Sequence, residues 1–303
     1  MHLAITHDTR YDYAQAVHHA QHIAYLQPRP TVCQQVVAHQ LHVNPHPEQV
    51  AHSQDGYGNA RQYLALHRAH TQLRVVARSQ VNTRLPLPLH SQLAWETARA
   101  QLAWHAGTPW DPAAEFVLPS PHAPWHADFA AFAQPCFTPG VPLLQGVRAL
   151  MRHLQSELRY DSQSTEVHTP ALQALAQRKG VCQDFAHIMV ASLRALGLAA
   201  RYVSGYLLTQ APPGQPALLG SDASHAWVSV YLPDLPTAEA HTRWWDFDPT
   251  NQRDGCGTPG DDYVTVAWGR DYADVAPLRG VIQGGGVHTL QVAVTVTALH
   301  ALG

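Results

Sequence analysis

Residues 178–185 read RKGVCQDF and open the stretch that decides the fold. Apolar residues recur at helical spacing after Cys182 until Gly197, and this pattern predicts a helix from about Cys182 to Leu196. Cys182 would then be the first helical residue, where free backbone N–H groups and about half a positive charge favour a thiolate. The same N–H groups can stabilise an oxyanion on a carbonyl that the sulfur attacks. A buried cysteine that only packs under the helix is the alternative interpretation.

The stretch ASHAWVSVYL at residues 223–232 places a histidine where a strand begins. Alternation predicts a strand over residues 226–232, with His225 and Trp227 on one face together with Ser229 and Tyr231. A histidine at this position suits a general base that stands beside a thiol. Taken by itself, the motif also fits an ordinary strand histidine.

The stretch WWDFDPTN at residues 244–251 ends a predicted strand with an acid followed by proline. Such a carboxylate can orient the imidazole of a neighbouring strand and stabilise its protonated form. Asp246 and Asp248 share a face about 7 Å apart, so alternation does not choose between them. Asp248 is favoured because it lies at the strand end, which adjoins the start of the His225 strand if the two strands are antiparallel.

The rest of the chain divides into three predicted parts. Residues 1–85 form a β-rich domain with strands at 3–13, 35–43, 62–66 and 72–81, which suggests an antiparallel sandwich. Residues 86–140 are a Pro- and Trp-rich connector that wraps the core; it holds one helix within 94–106, and its tryptophans at 95, 104, 110 and 125 are expected to be buried. Residues 141–303 form the catalytic domain, with further helices at 143–160 and 171–177 and strands at 200–208, 243–247, 263–267 and 289–297.

Composition excludes several classes of partner and cofactor. The 303 residues include 19 Lys and Arg against 22 Asp and Glu, a net charge of −3 without a basic run, which argues against nucleic acid or an anionic membrane as partner. The 22 histidines and four cysteines lack metal-ligand spacing, and the acids at 261, 262, 271 and 274 match no EF-hand, so no metal or cofactor is expected. No secretory signal or membrane span is visible, and the cytoplasm is the expected compartment.

Four motifs together resemble a known family. GVCQDFAH at 180–187, ARYVSGY at 200–206, SHAWV at 224–228 and FDPTN at 247–251 resemble bacterial transglutaminase-like proteins of the papain-like cysteine peptidase superfamily. The later segments 269–275 and 284–286, and the N-terminal half, also resemble that family. The resemblance implies an α+β fold: a papain/transglutaminase-like core of helices packed on an antiparallel sheet, preceded by a β-sandwich-like N-terminal domain.

The resemblance also implies an activity. Cys182 would be the nucleophile, His225 the general base and acid, and Asp248 the orienting residue of a cysteine-dependent acyl transfer through a thioacyl intermediate. Hydrolysis of an amide or peptide is favoured, with a peptide, protein or small amide as substrate. Cross-linking of protein glutamine to amines, an arylamine acetyltransferase-like enzyme and a non-catalytic binding protein are the alternatives.

A second set of residues is expected to line the site. Gln183, Tyr160, Trp227 and Tyr206 are the candidate oxyanion or substrate-lining residues. Trp125 and Gln155 are, with Tyr160, candidates for a second oxyanion donor. His187 lies five residues after Cys182, does not share its helical face, and is interpreted as structural. Residues 210–221 are expected to form a mobile loop over the site.

Overall fold

The computed structural model describes residues 1–107, 109–161, 169–209, 224–237 and 242–299. It is a mixed α+β fold with antiparallel sheets, which confirms the predicted fold class. The strands are β1 (His2–Ala24), β2 (Gln34–Asn44), β3 (Gln49–Gln54), β4 (Ala60–Leu66), β5 (His70–Thr83), β6 (Arg159–Tyr160), β7 (Lys179–Gly180), β8 (Ala200–Leu207), β9 (Ser224–Tyr231), β10 (Trp244–Asp248), β11 (Arg253–Cys256), β12 (Tyr263–Gly269), β13 (Leu278–Gly284) and β14 (His288–Ala298). The α-helices are α1 (Trp95–Leu102), α2 (Ala127–Ala133), α3 (Leu143–Glu157), α4 (Ala171–Gln177), α5 (Cys182–Ala195) and α6 (Tyr272–Val275).

The core consists of helices packed on a five-stranded antiparallel sheet. The strand order is β11-β10-β9-β8-β12, and α5 packs against β8 and β9 on one side and against α2 and α4 on the other. Every residue of α5 from Asp184 to Arg194 is buried, as expected of a helix that is surrounded by other elements. The helix therefore holds its first residue, Cys182, rigidly over one end of the sheet.

The N-terminal region is a single hydrogen-bonded sheet organised around β1. The 23 residues of β1 pair with β5 and β14 over the first half and with β4 and β13 over the second half. The pairing with β5 shifts register between Asp12 and Val17, where the strand bends. Val17, Leu64 and Leu73, from three of these strands, share one small core. The region is thus β-rich as expected, although its strands belong to one bent sheet rather than to two separate ones.

Strands from the two ends of the described chain meet in this sheet. β13 and β14 follow the core in sequence but hydrogen-bond to β1, along 278–284 and 288–298. The division of the chain at residues 85 and 140 stays a prediction. The hydrogen bonds show that the N-terminal sheet contains strands that precede residue 85 and two strands, β13 and β14, that follow residue 140.

The connector is built from short helices, and its tryptophans differ from expectation. Trp95 on α1 is buried against Phe137, with ring centroids 5.8 Å apart. Trp104, Trp110 and Trp125 are 73%, 57% and 66% exposed, so the prediction that they are buried is wrong. These three side chains lie in irregular segments that run over the surface, where no element of the described structure covers them.

The helices follow the sequence pattern closely, whereas β1 runs from His2 to Ala24 and does not end at residue 13 as predicted. The helix predicted at 171–177 is α4, and the one predicted at 182–196 is α5, one residue shorter. β3 was not predicted, since all six of its residues are exposed and carry no alternation. Among the residues that the structure describes, no helix is long and apolar enough to cross a membrane.

Candidate active site

Cys182 is the first residue of α5, and the turn before it is tightly fixed. The carboxylate of Asp184 accepts a 2.8 Å hydrogen bond from the backbone N–H of Val181, the residue that caps the helix. A Cβ at Gly180 would lie 2.6 Å from Cβ of Asp184, so only glycine allows the carboxylate this close. Gly180 also pairs with Tyr160 through the parallel bridge between β6 and β7. The position of the sulfur is therefore set by the backbone on both sides.

His225 lies at the start of β9 with its ring between Cys182 and Asp248. Nε2 of His225 hydrogen-bonds Oδ2 of Asp248 at 2.7 Å, and the side chain of His225 is 11% exposed. Cys182 lines the same cavity as His225, and its interaction with the ring raises the pKa of the imidazole. Because Nε2 faces the carboxylate, Nδ1 is the nitrogen that remains for the sulfur. The ring of Trp227 packs against the imidazole at 6.2 Å and 30° and supports its orientation.

Asp248 is fully buried and its carboxylate is saturated with donors. Oδ1 accepts from the backbone N–H groups of Thr250 (2.9 Å) and Asn251 (3.2 Å). Oδ2 accepts from Nδ2 of Asn251 (2.7 Å), from the hydroxyl of Tyr263 (2.7 Å) and from His225. Such a network allows a carboxylate to stay ionised without water.

The pKa values of His225 and Asp248 both shift in the direction opposite to the effect of burial. Burial raises the pKa of Asp248, but the hydrogen bond and charge of His225, with those of Asn251 and Tyr263, outweigh it and hold the pKa below its ordinary value. Burial lowers the pKa of His225, but the hydrogen bonds and charges of Asp248 and Cys182 raise it above its ordinary value. The imidazolium is therefore the favoured form of His225 at neutral pH.

Asp246 shares a face with Asp248 but has different neighbours. Its carboxylate accepts from Nε1 of Trp227 at 3.3 Å, and Asp246 lies opposite Ser229 in the pairing of β10 with β9. Burial raises the pKa of Asp246. β9 and β10 are antiparallel, with Phe247 opposite Val228, so the end of β10 adjoins the start of β9. The carboxylate that contacts His225 is thus that of Asp248, the residue favoured by its place at the strand end.

The other predicted lining residues differ in their exposure and in whether they line the cavity that contains Cys182. Gln183 lines the cavity that contains Cys182 and His225. Tyr160 is 52% exposed; burial and the charges of Cys182 and Asp248 raise the pKa of its hydroxyl. Trp227 is fully buried beneath His225.

Tyr206 is buried and is not among the described residues that line the cavity. Its hydroxyl bonds Nδ1 of His7 at 2.9 Å, and it is His7, not Tyr206, that is among the residues that line the cavity. Trp125 and Gln155 are exposed. The predicted loop at 210–221 lies outside the described residues. Ser224, the first described residue after it, lines the cavity.

His187 has the structural role expected from its position on α5. It is 1% exposed, and its Nε2 accepts a hydrogen bond from the backbone N–H of Tyr272 at 3.2 Å. Its ring stacks on His122 (5.3 Å) and Tyr202 (4.8 Å). Burial lowers the pKa of His187 to about 3, with smaller contributions from His122 and Arg194. The ring is therefore a neutral acceptor that ties α6 to the core.

Two residues of the site were missed from the sequence. Asn251 and Tyr263 both donate to Asp248. The Asp-Pro-Thr-Asn turn carries a signal for the first, because an aspartate at a turn accepts from backbone N–H groups two residues on. Tyr263 lies on β12, three strands away from β10 in the sheet order, and no local pattern predicts this contact.

The acids considered for calcium have other partners. Asp262 forms an ion pair with Arg253, and Asp274 with Arg270 at 2.9 Å. Asp271 caps α6 by accepting from the backbone N–H of Ala273. Within the described ranges, no group of three or more His, Cys, Asp or Glu side chains could hold a metal ion.

The fold and this site together define a class: α+β proteins with a transglutaminase-like core. The sequence model described as "Transglutaminase-like superfamily" matches residues 130–249, and the one described as "Bacterial transglutaminase-like N-terminal region" matches residues 3–82. The chain belongs to the transglutaminase-like superfamily and carries the N-terminal region of its bacterial members. The resemblance seen in the sequence is thereby confirmed.

Relatives of similar length are found in mycobacteria. The uncharacterized protein Rv2569c of Mycobacterium tuberculosis is 39% identical over 283 residues, 92% of this chain and 86% of that protein. The uncharacterized protein ML0607 of Mycobacterium leprae is 31% identical over 300 residues, 98% of this chain and 99% of that protein. A solved structure of a candidate cysteine protease from Cytophaga hutchinsonii has a TM-score of 0.71 and 22% identity, covering 99% of this chain and 92% of that one. At this identity the likeness concerns the fold.

Proposed function

We propose that the protein is a cysteine hydrolase that cleaves an amide or peptide bond through a thioacyl intermediate, with Cys182, His225 and Asp248 as its catalytic triad. The observation that carries this proposal is the 2.7 Å hydrogen bond from His225 to a buried, donor-saturated Asp248, with Cys182 in the lining of the same cavity as His225. Nucleophile, base and orienting acid in hydrogen-bonding sequence are what nucleophilic catalysis requires.

In the first half-reaction, Sγ of Cys182 attacks the carbonyl carbon of the substrate and a C–S bond forms. The imidazolium of His225 donates a proton to the amide nitrogen, the C–N bond breaks, and ammonia or an amine leaves. Asp248 keeps the ring in place and stabilises its charge before the proton is transferred.

In the second half-reaction, His225 accepts a proton from a water molecule as the water oxygen attacks the thioester. The C–S bond breaks, the acid is released, and Cys182 returns to the thiolate beside an imidazolium. If an amine replaces water, the same steps give a new amide, which is the cross-linking alternative. The proposal favours water, since it needs no second binding site.

The oxyanion formed in both steps needs donors near Cys182. The backbone N–H of Cys182, at the N-terminus of the 14-residue α5, is the first proposed donor. The hydroxyl of Tyr160 is the second, supported by the effect that the charges of Cys182 and Asp248 have on its pKa. Trp125 and Gln155 lack a comparable contact among the described residues.

The proposal includes the compartment and the class of substrate. All four cysteines are free, which is usual for proteins kept in a reducing cytoplasm. The proposed substrate is a peptide, a protein side chain or a small amide, and neither nucleic acid nor membrane is a proposed partner.

The test is mass spectrometry of the products formed from a glutamine-containing peptide library, with and without a primary amine. Release of ammonia identifies an amidase, cleaved backbones a peptidase, and incorporated amine a transferase. The Cys182→Ala variant is the control and should form none of these. A wild-type protein that yields neither product nor a trapped acyl group on Cys182 would instead be a non-catalytic binding protein.

A further inference from the structure

The cavity at Cys182 and His225, about 300 Å³, has one wall that lies outside the core sheet. Its size is at the lower end of the ~300–1,000 Å³ typical of sites for small ligands. The side chains of this wall come from β1 and β14 of the N-terminal sheet. We define them as the β1–β14 wall: His7, Thr9, Tyr11, Leu290 and Val292.

The β1–β14 wall is a ladder of directly paired residues. In the antiparallel pairing of the two strands, Thr9 lies opposite Val292 and Tyr11 lies opposite Leu290. Cross-strand neighbours on one face have Cβ atoms about 4.5–5.5 Å apart and form a continuous surface. The wall is therefore a single surface held by backbone hydrogen bonds.

This surface is an extension of the core face of β14. Val294 and Val296 on that face are 0% and 4% exposed, whereas Val292 and Leu290 farther along are 50% and 53% exposed. Alternation places all four side chains on the same side of the strand. Within the described residues, the apolar face thus runs from the core into the cavity that contains Cys182, where Val292 and Leu290 are half-exposed.

Charges are kept off this surface. Asp8 and Arg10 alternate with the inward residues of β1 and point to the other face, where Asp8 forms a 2.6 Å ion pair with Arg74. Burial lowers the pKa of His7 to about 4 against the opposing effect of Asp8, so this wall residue is neutral at pH 7. Among the described residues, no Asp, Glu, Lys or Arg lines the cavity.

From these observations we infer that the β1–β14 wall is a specificity site that receives an apolar side chain next to the carbonyl attacked by Cys182. This inference rests on the proposed function and narrows its substrate class to uncharged amides or peptides with an apolar residue at that position. A charged side chain there would lose part of its hydration against Leu290 and Val292 without meeting an Asp, Glu, Lys or Arg of the described lining, and is disfavoured. The N-terminal sheet thereby takes part in substrate selection.

The test uses four N-acetylated amino acid chloromethyl ketones, those of leucine, phenylalanine, aspartate and lysine, on the full chain. Sγ of Cys182 displaces chloride as the C–S bond forms, and intact mass spectrometry gives the rate. With each rate divided by that of the same probe on glutathione, the leucine and phenylalanine probes should react about tenfold or more faster than the charged ones. Equal corrected rates for all four probes would overturn the inference.

Three variants locate the effect. Val292→Asp should slow the leucine probe about tenfold and speed up the lysine probe, because it places a carboxylate in the wall. Val281→Asp is the matched control: Val281 is 70% exposed on β13 of the same sheet and does not line the cavity, so its rates should equal the wild type. Leu290→Asp, at a second half-exposed position, gives an independent reading if one variant folds poorly. Identical behaviour of the wall variants and the control would contradict the inference.

A binding measurement separates this inference from the proposed function. In the Cys182→Ala variant, which cannot react, N-acetyl-leucinamide should perturb the NMR signals of β1 and β14 more strongly than the aspartate analogue at equal concentration. If Cys182 in the wild type is unreactive but this preference is present, the proposed function is contradicted and the inference about the β1–β14 wall is supported. If Cys182 is reactive and no preference is found by either method, the wall fails alone.

Discussion

Nε2 of His225 and Oδ2 of Asp248 are 2.7 Å apart at the adjoining ends of two antiparallel strands, and the carboxylate is 0% exposed. Its other hydrogen bonds come from a turn and from a tyrosine of β12. The imidazole is thus bonded to an acid that cannot rotate away or become solvated. The charge of that acid helps to raise the pKa of His225 against the effect of burial.

Asp248→Asn should therefore lower kcat/KM by about 10²-fold or more, because an amide does not stabilise the imidazolium. It should also shift the alkaline limb of the pH profile. Loss of the carboxylate removes contributions that raise the pKa of His225, so this group loses its proton at a lower pH and the limb moves toward acid. The measurement is the pH dependence of kcat/KM on an active substrate from the peptide library.

Asp246→Asn is the matched control for this prediction. Asp246 lies on the same face of the same strand and is equally buried, but it contacts Trp227 and Ser229 instead of His225. We expect a change in stability with the alkaline limb in its wild-type position. If the alkaline limb moves equally in both variants, the negative charge of Asp248 affects His225 no more than that of Asp246 does, and the direct hydrogen bond is not needed.

Cys182 should react with iodoacetamide at pH 7 about tenfold or more faster than the other three cysteines. Burial raises the pKa of Cys33 to about 11, that of Cys256 to about 12, and that of Cys136 above its ordinary value. These three thiols are therefore protonated at pH 7, whereas Cys182 faces an imidazolium. Time-resolved peptide mapping gives all four rates in one experiment. Labelling of Cys136 before Cys182 is the opposite outcome, and it would remove the activated thiol from the mechanism.

Gly180→Ala should destabilise the protein by about 1–3 kcal/mol and slow the labelling of Cys182. The new methyl group would lie 2.6 Å from Cβ and 2.7 Å from Oδ2 of Asp184, which must move and release its bond to Val181. Gly56→Ala is the control, since a Cβ there meets no atom within 4 Å. Chemical unfolding and iodoacetamide labelling of both variants decide the matter. A Gly180→Ala protein as stable and reactive as Gly56→Ala would show that the turn adapts freely.

His187→Gln should make stability less dependent on pH in mildly acidic solution. The pKa of His187 is about 3 in the folded protein and about 6.5 in an unfolded chain, so below pH 6.5 the unfolded state binds the proton and is favoured. Stability is thus lost as pH falls from about 6.5 toward 3. Removing this group should reduce the slope of the unfolding free energy by up to about 1.4 kcal/mol per pH unit.

Urea unfolding at pH 6, 5 and 4 measures this slope. The control is His90→Gln, at an exposed position whose surroundings change little on folding. Its slope should equal that of the wild type. Equal slopes for all three proteins would contradict the prediction. They would mean that His187 binds its proton as readily in the folded protein as in the unfolded chain, against its role as the acceptor from Tyr272.

Local patterns carry a large part of the site. Helical spacing predicts that Cys182 begins α5. Alternation places His225 on the same face of its strand as Trp227, and Asp248 on the same face of its strand as Asp246. These features depend on a few consecutive residues, and the pattern of buried side chains defines them. The choice between Asp246 and Asp248 depends on which strand ends adjoin, and it required only the assumption that β9 and β10 are antiparallel.

The remaining parts of the site depend on long-range pairing. Tyr263 reaches Asp248 although β9 and β8 lie between their strands in the sheet, and Leu290 reaches the cavity because β14 pairs with β1 across some 280 residues of sequence. Neither contact has a local signal. The exposed tryptophans of the connector were misjudged for a related reason: an apolar ring predicts burial only when a neighbouring element is there to cover it.

The pairing of β1 with both β13 and β14 has a consequence for biosynthesis. A ribosome makes residues 2–24 before residues 278–298, so while the residues between them are made, one long edge of β1 lacks these two partner strands. An open edge of this length can recruit other nascent chains, and polysomes bring such chains close together. Under the proposed function, selective cleavage has to wait until β13 and β14 have emerged and paired with β1.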